Sequence, residues 1–494
     1  MLTRLQVRGF KSLWDVDVRF GPFTCIAGPN AVGKSNLFDA IQLLSRLASE
    51  NLLQAALSVR ADGSLSGNVL DLFHRHLDHS SARIFLAAEM VVPSEGIDDL
   101  GQRAKASITT LRYSLEIAFY QPEESEGLPG IRLLSEDLLP ITKGDAGKHI
   151  QFPNNASKWR EQVVQGKGRR GGAFISTVST PEDEQIIQLH QEGSGGGPKK
   201  YPVSRLPRTV LSTVNATENP TALLAKREME SWRLLQLEPS ALRQPDNVLT
   251  PAGLKANGAH LPATLYGMAH QGIGNRNVYE RMVGRLAELL DDIKAIDILR
   301  DNARQLFILQ LENRDGVTFD ARSLSDGTLR FLSLATLAED PSALGVICME
   351  EPENGIQPAR IPAILNLLKA IACDPTLEPG EDNPLRQVII NTHSPAVVQL
   401  IDDDDLLVAV FEQQISDGCR FNATVFRWLP DTWRDKSPEN TSTTVAKGLL
   451  LSYLGPIPDP EEHSGPSARR RVRDRKDLQD LAQQLTLRLE GQHP

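Results

Sequence analysis

The sequence predicts an α/β fold. Three observations predict it: strand-like runs alternate with helical ones, a glycine-rich loop lies between one such strand and one such helix, and two later apolar runs end in polar groups. Residues 2–10 and 13–20 alternate apolar and polar side chains and read as strands. Residues 23–27 read as a buried strand. It runs into Gly28-Pro29-Asn30-Ala31-Val32-Gly33-Lys34-Ser35, which fits the pattern G-x-x-x-x-G-K-[ST]. In that pattern the glycines let backbone N–H groups curl around phosphate. Lys34 reaches the β- and γ-phosphates, and the Ser35 hydroxyl ligates Mg²⁺. Residues 36–44 then read as a helix whose positive end, at Asn36, is aimed at the phosphates. Gly28, Asn30, Ala31, Val32, Gly33, Lys34, Ser35 and Asn36 are thus the expected nucleotide-binding segment.

Further along, residues 84–92 and 111–120 are strand-like. Residues 141–205 carry glycine-rich loop signals around one hairpin. Residues 220–235 and 279–296 look helical, with apolar residues at three- and four-residue intervals. Residues 306–319 read as a hairpin turning at Asn313-Arg314-Asp315-Gly316. A compact alternating α/β stretch covers about 324–410. Beyond about 436 the chain is polar and proline-rich, with one helical piece near 478–489. The expected organisation is an N-terminal lobe over 1–140, an inserted mixed β/helical region over 141–275, a C-terminal lobe over 276–434 and a tail over 435–494.

At 494 residues, 40% hydrophobic and 23% charged, the composition is that of an ordinary soluble globular protein. A net charge of −10 argues against a uniformly basic, nucleic-acid-coating surface, although a local basic groove stays open. The four cysteines, Cys25, Cys348, Cys373 and Cys419, match no zinc or disulfide spacing. Cys25 and Cys348 sit in apolar runs and read as small buried hydrophobes, which suits a reducing cytoplasm. The first residues carry charges where a signal peptide needs an apolar run, and no stretch approaches the ~18 apolar residues that span a bilayer. The expected location is cytoplasmic, without a membrane partner.

Three later blocks belong with the phosphate loop. Ser325-Asp326-Gly327-Thr328 opens a helical run, placing a hydroxyl and backbone N–H groups where an anion can sit. Residues 344–349 read as a buried strand ending in Glu350-Glu351-Pro352-Glu353-Asn354. There Glu350 can hold Mg²⁺, and Glu351 can polarise a water that attacks the γ-phosphate. Residues 386–392 are another buried strand, ending at His393, which can touch that phosphate or that water. Ligands of open α/β sheets sit at the carboxyl ends of strands.

Together the four blocks resemble the ABC-type ATPase heads of the SMC, RecF and OLD group, in particular AAA-domain ATPases with a Ser-Asp-Gly-Thr signature and a Glu-Glu-Pro-Glu-Asn-Gly box. The resemblance implies a P-loop NTPase fold, an ABC-type head interrupted by the insertion. It implies Mg²⁺-dependent ATP hydrolysis with Glu351 as catalytic base, His393 as switch and Lys34 on the phosphates. Ser35 and Glu350 would hold the metal. Glu350 stands where such heads usually have aspartate, and no segment is matched to their glutamine loop. Lys11 matches a basic residue that approaches the nucleotide in related heads. Ser325, Asp326, Gly327 and Thr328 would act in trans, so two copies would sandwich ATP as a homodimer. Relatives are often encoded beside a nuclease-like partner and act in phage defence or DNA maintenance; a TOPRIM-like nuclease is one candidate for the partner here. The alternatives are a RecF-like DNA-repair ATPase, a transporter's nucleotide-binding subunit, a self-contained OLD-type nuclease using Asp402-Asp403-Asp404-Asp405, and an ATP-binding scaffold without turnover. The aspartate run reads as a solvated loop. The basic run at 469–476 and the loop with Lys167, Arg169 and Arg170 read as solvated too, with nucleic acid left open as a partner.

Overall fold

The structure is a computed structural model. It describes residues 1–448 apart from 60–67, 77–78, 81–82, 122–129, 167–171, 182–183, 193–195, 271–276, 288–291, 417, 437–443 and 447. The basic runs at 167–170 and 469–476, the helix expected at 478–489 and most of the apolar run at 448–454 lie outside the described residues. The elements that carry the expected site are, in chain order, β1 (Leu2–Phe10), β2 (Leu13–Arg19), β3 (Phe23–Ala27), α1 (Lys34–Leu47), α2 (Asp326–Glu339), β4 (Gly345–Glu350), β5 (Arg386–Thr392), β6 (Leu406–Ser416) and β7 (Cys419–Trp428).

The chain divides into two compact units. The first comprises residues 1–233, 374–387 and 404–445, and the second residues 234–373 and 388–403 with the described residues after 445. The first unit holds an eight-stranded sheet. Its order is Lys199–Pro202, Gln185–Leu189, Ile175–Ser179, Gly130–Pro140, Thr110–Tyr120, Arg83–Val91, β1, β2. Every neighbouring pair is antiparallel. The β1–β2 register sets Leu5 opposite Val18 and Val7 opposite Val16, all buried, so the alternation in sequence becomes one core face. At the far edge, Lys199 and Lys200 are exposed and Pro202 closes the strand. β3 pairs in parallel with β6, which continues into β7 as an antiparallel hairpin. α1 buries Leu37, Phe38, Ala40, Ile41, Leu43, Leu44 and Leu47, the spacing of one helix face. Gln387, fully buried, bonds β5 to the start of the chain: its amide donates to the carbonyls of Leu2 and Gly21 at 2.8 Å, and its oxygen accepts from Leu2 N–H at 2.8 Å.

In the second unit β4 and β5 are neighbours in one sheet. A second sheet orders Asp246–Asn247, Leu306–Asn313 and Ile293–Asp301, with Thr318–Asp320 beside the middle strand. The hairpin expected at 306–319 is therefore present. α2 buries Leu329, Phe331, Leu332, Leu334, Ala335 and Leu337.

Four expectations change. The helix expected at 220–235 stops at Glu230, and Arg233–Leu235 is a short strand; the Trp232 indole donates to Glu228 at 2.9 Å and holds the chain where the helix ends. The helix expected at 279–296 is Asn277–Leu286, and Ile293 already belongs to a strand whose β-branched Ile296 and Ile298 point inward on alternate residues. Residues 141–205 give three strands of the large sheet rather than one hairpin, because the glycine-rich loops interrupt runs too short to show their alternation. The strand Gly130–Pro140 was not anticipated. The Asp402–Asp405 run is mostly buried instead of solvated: Lys369 pairs with Asp402 at 2.8 Å, and the Asp404 carbonyl accepts from the Trp433 indole at 3.0 Å and from Arg434. The Lys369 ammonium makes burial of the Asp402 carboxylate tolerable.

Candidate functional site

β3 delivers the chain into the phosphate loop, and α1 carries it away, as the spacing implied. Asn30 and Ala31 are exposed, Val32 and Lys34 buried, and Gly33, Ser35 and Asn36 half-buried. Ala31 has φ 64° and Gly33 φ 95°, left-handed backbone of the kind found in anion-cradling loops. The loop admits no side chain at its glycines. A Cβ on Gly28 would lie 2.8 Å from the Ala409 carbonyl on β6. One on Gly33 would run into the hydroxyls of Ser12 and Thr424. Lys34 donates to the carbonyls of Gly28 at 2.7 Å and Pro29 at 2.9 Å, folding its ammonium over the loop itself. Lys11 follows β1 with φ 48°, and its ammonium pairs with the buried Asp39 of α1 at 2.7 Å.

The loop is clamped by residues that sequence reasoning did not single out. The Thr424 hydroxyl on β7 donates to the Val32 carbonyl at 2.7 Å and shares a hydrogen bond with Ser12 Oγ at 2.7 Å. The Asn36 amide donates to the same Ser12 oxygen at 2.7 Å. Ser12 stands just after β1, and Thr424 is far along the chain, so no local pattern could have linked them.

In the second unit, β4 ends at Glu350, and the next residue, Glu351, has φ 45°. A non-glycine residue there is held by its surroundings. Its N–H donates to the Asn391 carbonyl at 3.0 Å and reaches the Asn391 side-chain oxygen at 3.2 Å, which ties the turn to β5. The Glu351 carboxylate is bracketed: one oxygen faces His393 Nδ1 at 2.6 Å, and the other accepts from the Asn354 amide at 2.7 Å. Both Glu351 and His393 remain reachable from solvent. Glu353 is buried and accepts from the Thr392 hydroxyl. Burial pushes its carboxyl above the ordinary value; the Thr392 bond opposes this, and the charge of Glu351 adds to it.

The signature turn lies in the same unit. Ser325 caps α2, its hydroxyl accepting from Thr328 N–H at 3.2 Å and meeting the Thr328 hydroxyl at 2.8 Å. Ser325 and Asp326 are exposed, whereas Thr328 is buried. Arg243 holds the turn by donating to the Leu324 carbonyl at 2.9 Å and to the Asp326 carboxylate. A Cβ on Gly327 would sit 3.4 Å from the Gly355 carbonyl, so α2 begins directly against the turn after Glu351.

A protein-family profile described as "AAA domain, putative AbiEii toxin, Type IV TA system" matches residues 23–83 and 141–399, more than half of the chain. The chain belongs to this AAA-domain family. It is an ATPase with a P-loop α/β fold, and its family implies nucleotide binding. An OLD nuclease of Thermus scotoductus is 50% identical over 44 residues, which are 9% of this chain and 8% of that protein. The match thus spans less than a tenth of that relative's length. Among solved structures, the ATPase is similar to an SMC head bound to the C-winged helix domain of ScpA, with a TM-score of 0.43 and 13% identity over 86% of this chain and 97% of that one. It is also similar to the SMC head domain from Thermotoga maritima, with a TM-score of 0.34 and 11% identity over 87% and 98% of the two chains.

Among the described residues, no helix is long and apolar enough to cross a membrane, and no group of three or more His, Cys, Asp or Glu side chains could hold a metal ion unaided. Ser35 in the first unit offers a hydroxyl and Glu350 in the second a carboxylate; each is by itself a hard oxygen donor of the kind Mg²⁺ takes.

Proposed function

We propose that this ATPase is an ATP-gated switch: two copies close on ATP, hydrolysis reopens them, and a nuclease-like partner reads the two states. The observation that carries the reading is the Glu351 carboxylate, held between His393 and Asn354 at the end of a buried strand yet open to water. A general base needs that combination of fixed direction and access. In this reading Glu351 takes a proton from the attacking water, and His393 orients the base. Lys34 and the loop N–H groups neutralise the phosphates, with Asn36 following the loop on α1 and Lys11 paired to Asp39 of that helix. Mg²⁺ bound through Ser35 and Glu350 would stabilise charge on the β- and γ-phosphates. Ser325 through Thr328 would complete the nucleotide site of the other copy, which makes closure depend on a contact that hydrolysis removes. The family description names a toxin of a type IV toxin–antitoxin system, and the short-matching relative is a nuclease. Both favour a partner-directed role in phage defence or DNA maintenance.

The test is Glu351→Gln. Its phosphate release should fall at least about a hundredfold. With ATP and Mg²⁺ the variant should accumulate as a dimer by light scattering. Turnover at the wild-type rate removes Glu351 from the mechanism. A turnover-dead variant that stays monomeric with ATP removes the dimer switch.

A further inference from the structure

The turn after Glu351 contains two contacts that the hydrolysis scheme has not used. The Asn354 side chain donates to the Glu351 carboxylate at 2.7 Å. The carbonyl of that same Asn354 accepts from Arg330, which projects from α2 two residues past Thr328. The turn itself is short and closed: Asn354 N–H donates back to the Glu351 carbonyl at 3.0 Å, and Ile356 N–H to the Glu353 carbonyl at 3.0 Å. Gly355 has φ 76°, and a Cβ there would lie 3.8 Å from the Arg330 guanidinium. Ile356 packs against Gly327, where a Cβ would come within 3.3 Å of it. The start of α2 and the turn are therefore in contact at Gly327 and at Arg330.

We propose that Asn354 and Arg330 are positioning residues for the catalytic carboxylate, with Asn354 aiming Glu351 and Arg330 fixing Asn354 from the signature helix. The proposal rests on Glu351 being the general base. A carboxylate on a flexible side chain visits several rotamers, and only one points an oxygen at a given water. His393 constrains one oxygen and Asn354 the other, so together they select a single orientation. Arg330 makes that orientation sensitive to α2. A signature turn that shifts against a nucleotide pulls on the Asn354 carbonyl and hence on the amide of the same residue. Catalytic geometry responds steeply to such small displacements.

The experiment uses the full chain and measures steady-state phosphate release alongside ATP affinity from a fluorescent ATP analogue. Asn354→Ala should lower kcat about tenfold with ATP affinity unchanged. Asn354→Asp keeps the shape and the backbone carbonyl but replaces the donor with an acceptor, and should lose at least as much. Arg330→Ala should lower kcat three- to tenfold or so, and Arg330→Lys, which keeps a cationic N–H donor, should recover most of it. The double variant Asn354→Ala/Arg330→Ala should be no slower than Asn354→Ala alone, because Arg330 acts through Asn354. Multiplied losses in the double variant, or a loss in ATP affinity matching the loss in kcat, would mean a merely structural turn and overturn the proposal. So would wild-type kcat in Asn354→Asp. Glu351→Gln is run in parallel. If it abolishes turnover while the Asn354 variants stay at the wild-type rate, the positioning role falls and the base stands; if it retains turnover, both fall.

Discussion

Gly33 shows how much one residue decides. Its φ of 95° lies in a region that costs an L-residue about 1–2 kcal/mol, and its missing Cβ leaves the space that the Ser12 and Thr424 hydroxyls occupy. Gly33→Ala should therefore weaken ATP-analogue binding at least about tenfold. Thr424→Val, which removes only the clamp on Val32, should weaken it less. Equal affinity in wild type and Gly33→Ala would show that the loop tolerates a reshaped backbone. The glycine, lysine and serine of the loop were legible because their chemistry is local and their spacing fixed. Ser12 and Thr424 were not: their hydrogen bond joins positions 412 residues apart, and a lone serine and threonine carry no signal of their own. The same holds at Glu351. The paired acids and His393 stood out in sequence, whereas the part played by Asn354 depends on a turn whose shape the residue string does not specify.

Among the elements, the antiparallel sheet of the first unit carries an acid-sensitive device. Glu89, buried on Arg83–Val91, meets His149 at 2.7 Å, Arg4 at 3.2 Å and Arg112 at 3.4 Å. Burial raises its pKa, but the His149 hydrogen bond and charge and the charges of Arg4 and Arg19 outweigh that, and the net shift is downward from 4.5. The folded state thus binds the proton less readily than the unfolded chain. Glu89 accordingly contributes stability that is present above about pH 4.5 and lost as pH falls through its lower folded-state value. Glu89→Gln should lower the melting temperature at pH 7 and flatten its decline on acidification below pH 4.5, measured by circular dichroism. A variant that melts like wild type at pH 7 and loses stability with the same acid slope would show the cluster to be neutral. Strands with strict alternation, β1 and β2 above all, could be read directly from sequence. The strands at 175–202 could not, because each has five residues or fewer and draws its identity from its neighbours in the sheet. The Asp402–Asp405 run misled for a related reason: composition reports how charged a segment is, while its burial depends on contacts with residues elsewhere in the chain, such as Lys369 on Asp402.

For the molecule as a whole, the proposed exchange of signature residues between copies makes a complementation test decisive. Lys34→Ala disables the loop and leaves Ser325 intact; Ser325→Arg blocks the signature and leaves Lys34 intact. Each variant alone should be inactive. Mixed in equal amounts they should recover measurable phosphate release, because a mixed pair contains one intact loop facing one intact signature. Mixed dimers without any recovery would remove the in-trans role of Ser325. The family could be recognised because four short blocks, spread from Gly28 to His393, keep a fixed order. The division into two units could not, since each unit is assembled from separate stretches of chain, and the border falls inside β5, between Gln387 and Val388.

The rim strand Lys199–Pro202 has one more implication. An open row of peptide groups invites a stranger's backbone, and two solvated ammonium groups with a ring lacking N–H make that invitation poor. Self-association by extension of the sheet at this rim is thereby discouraged. Replacing both lysines with valine should create aggregates that grow with protein concentration whether or not ATP is present.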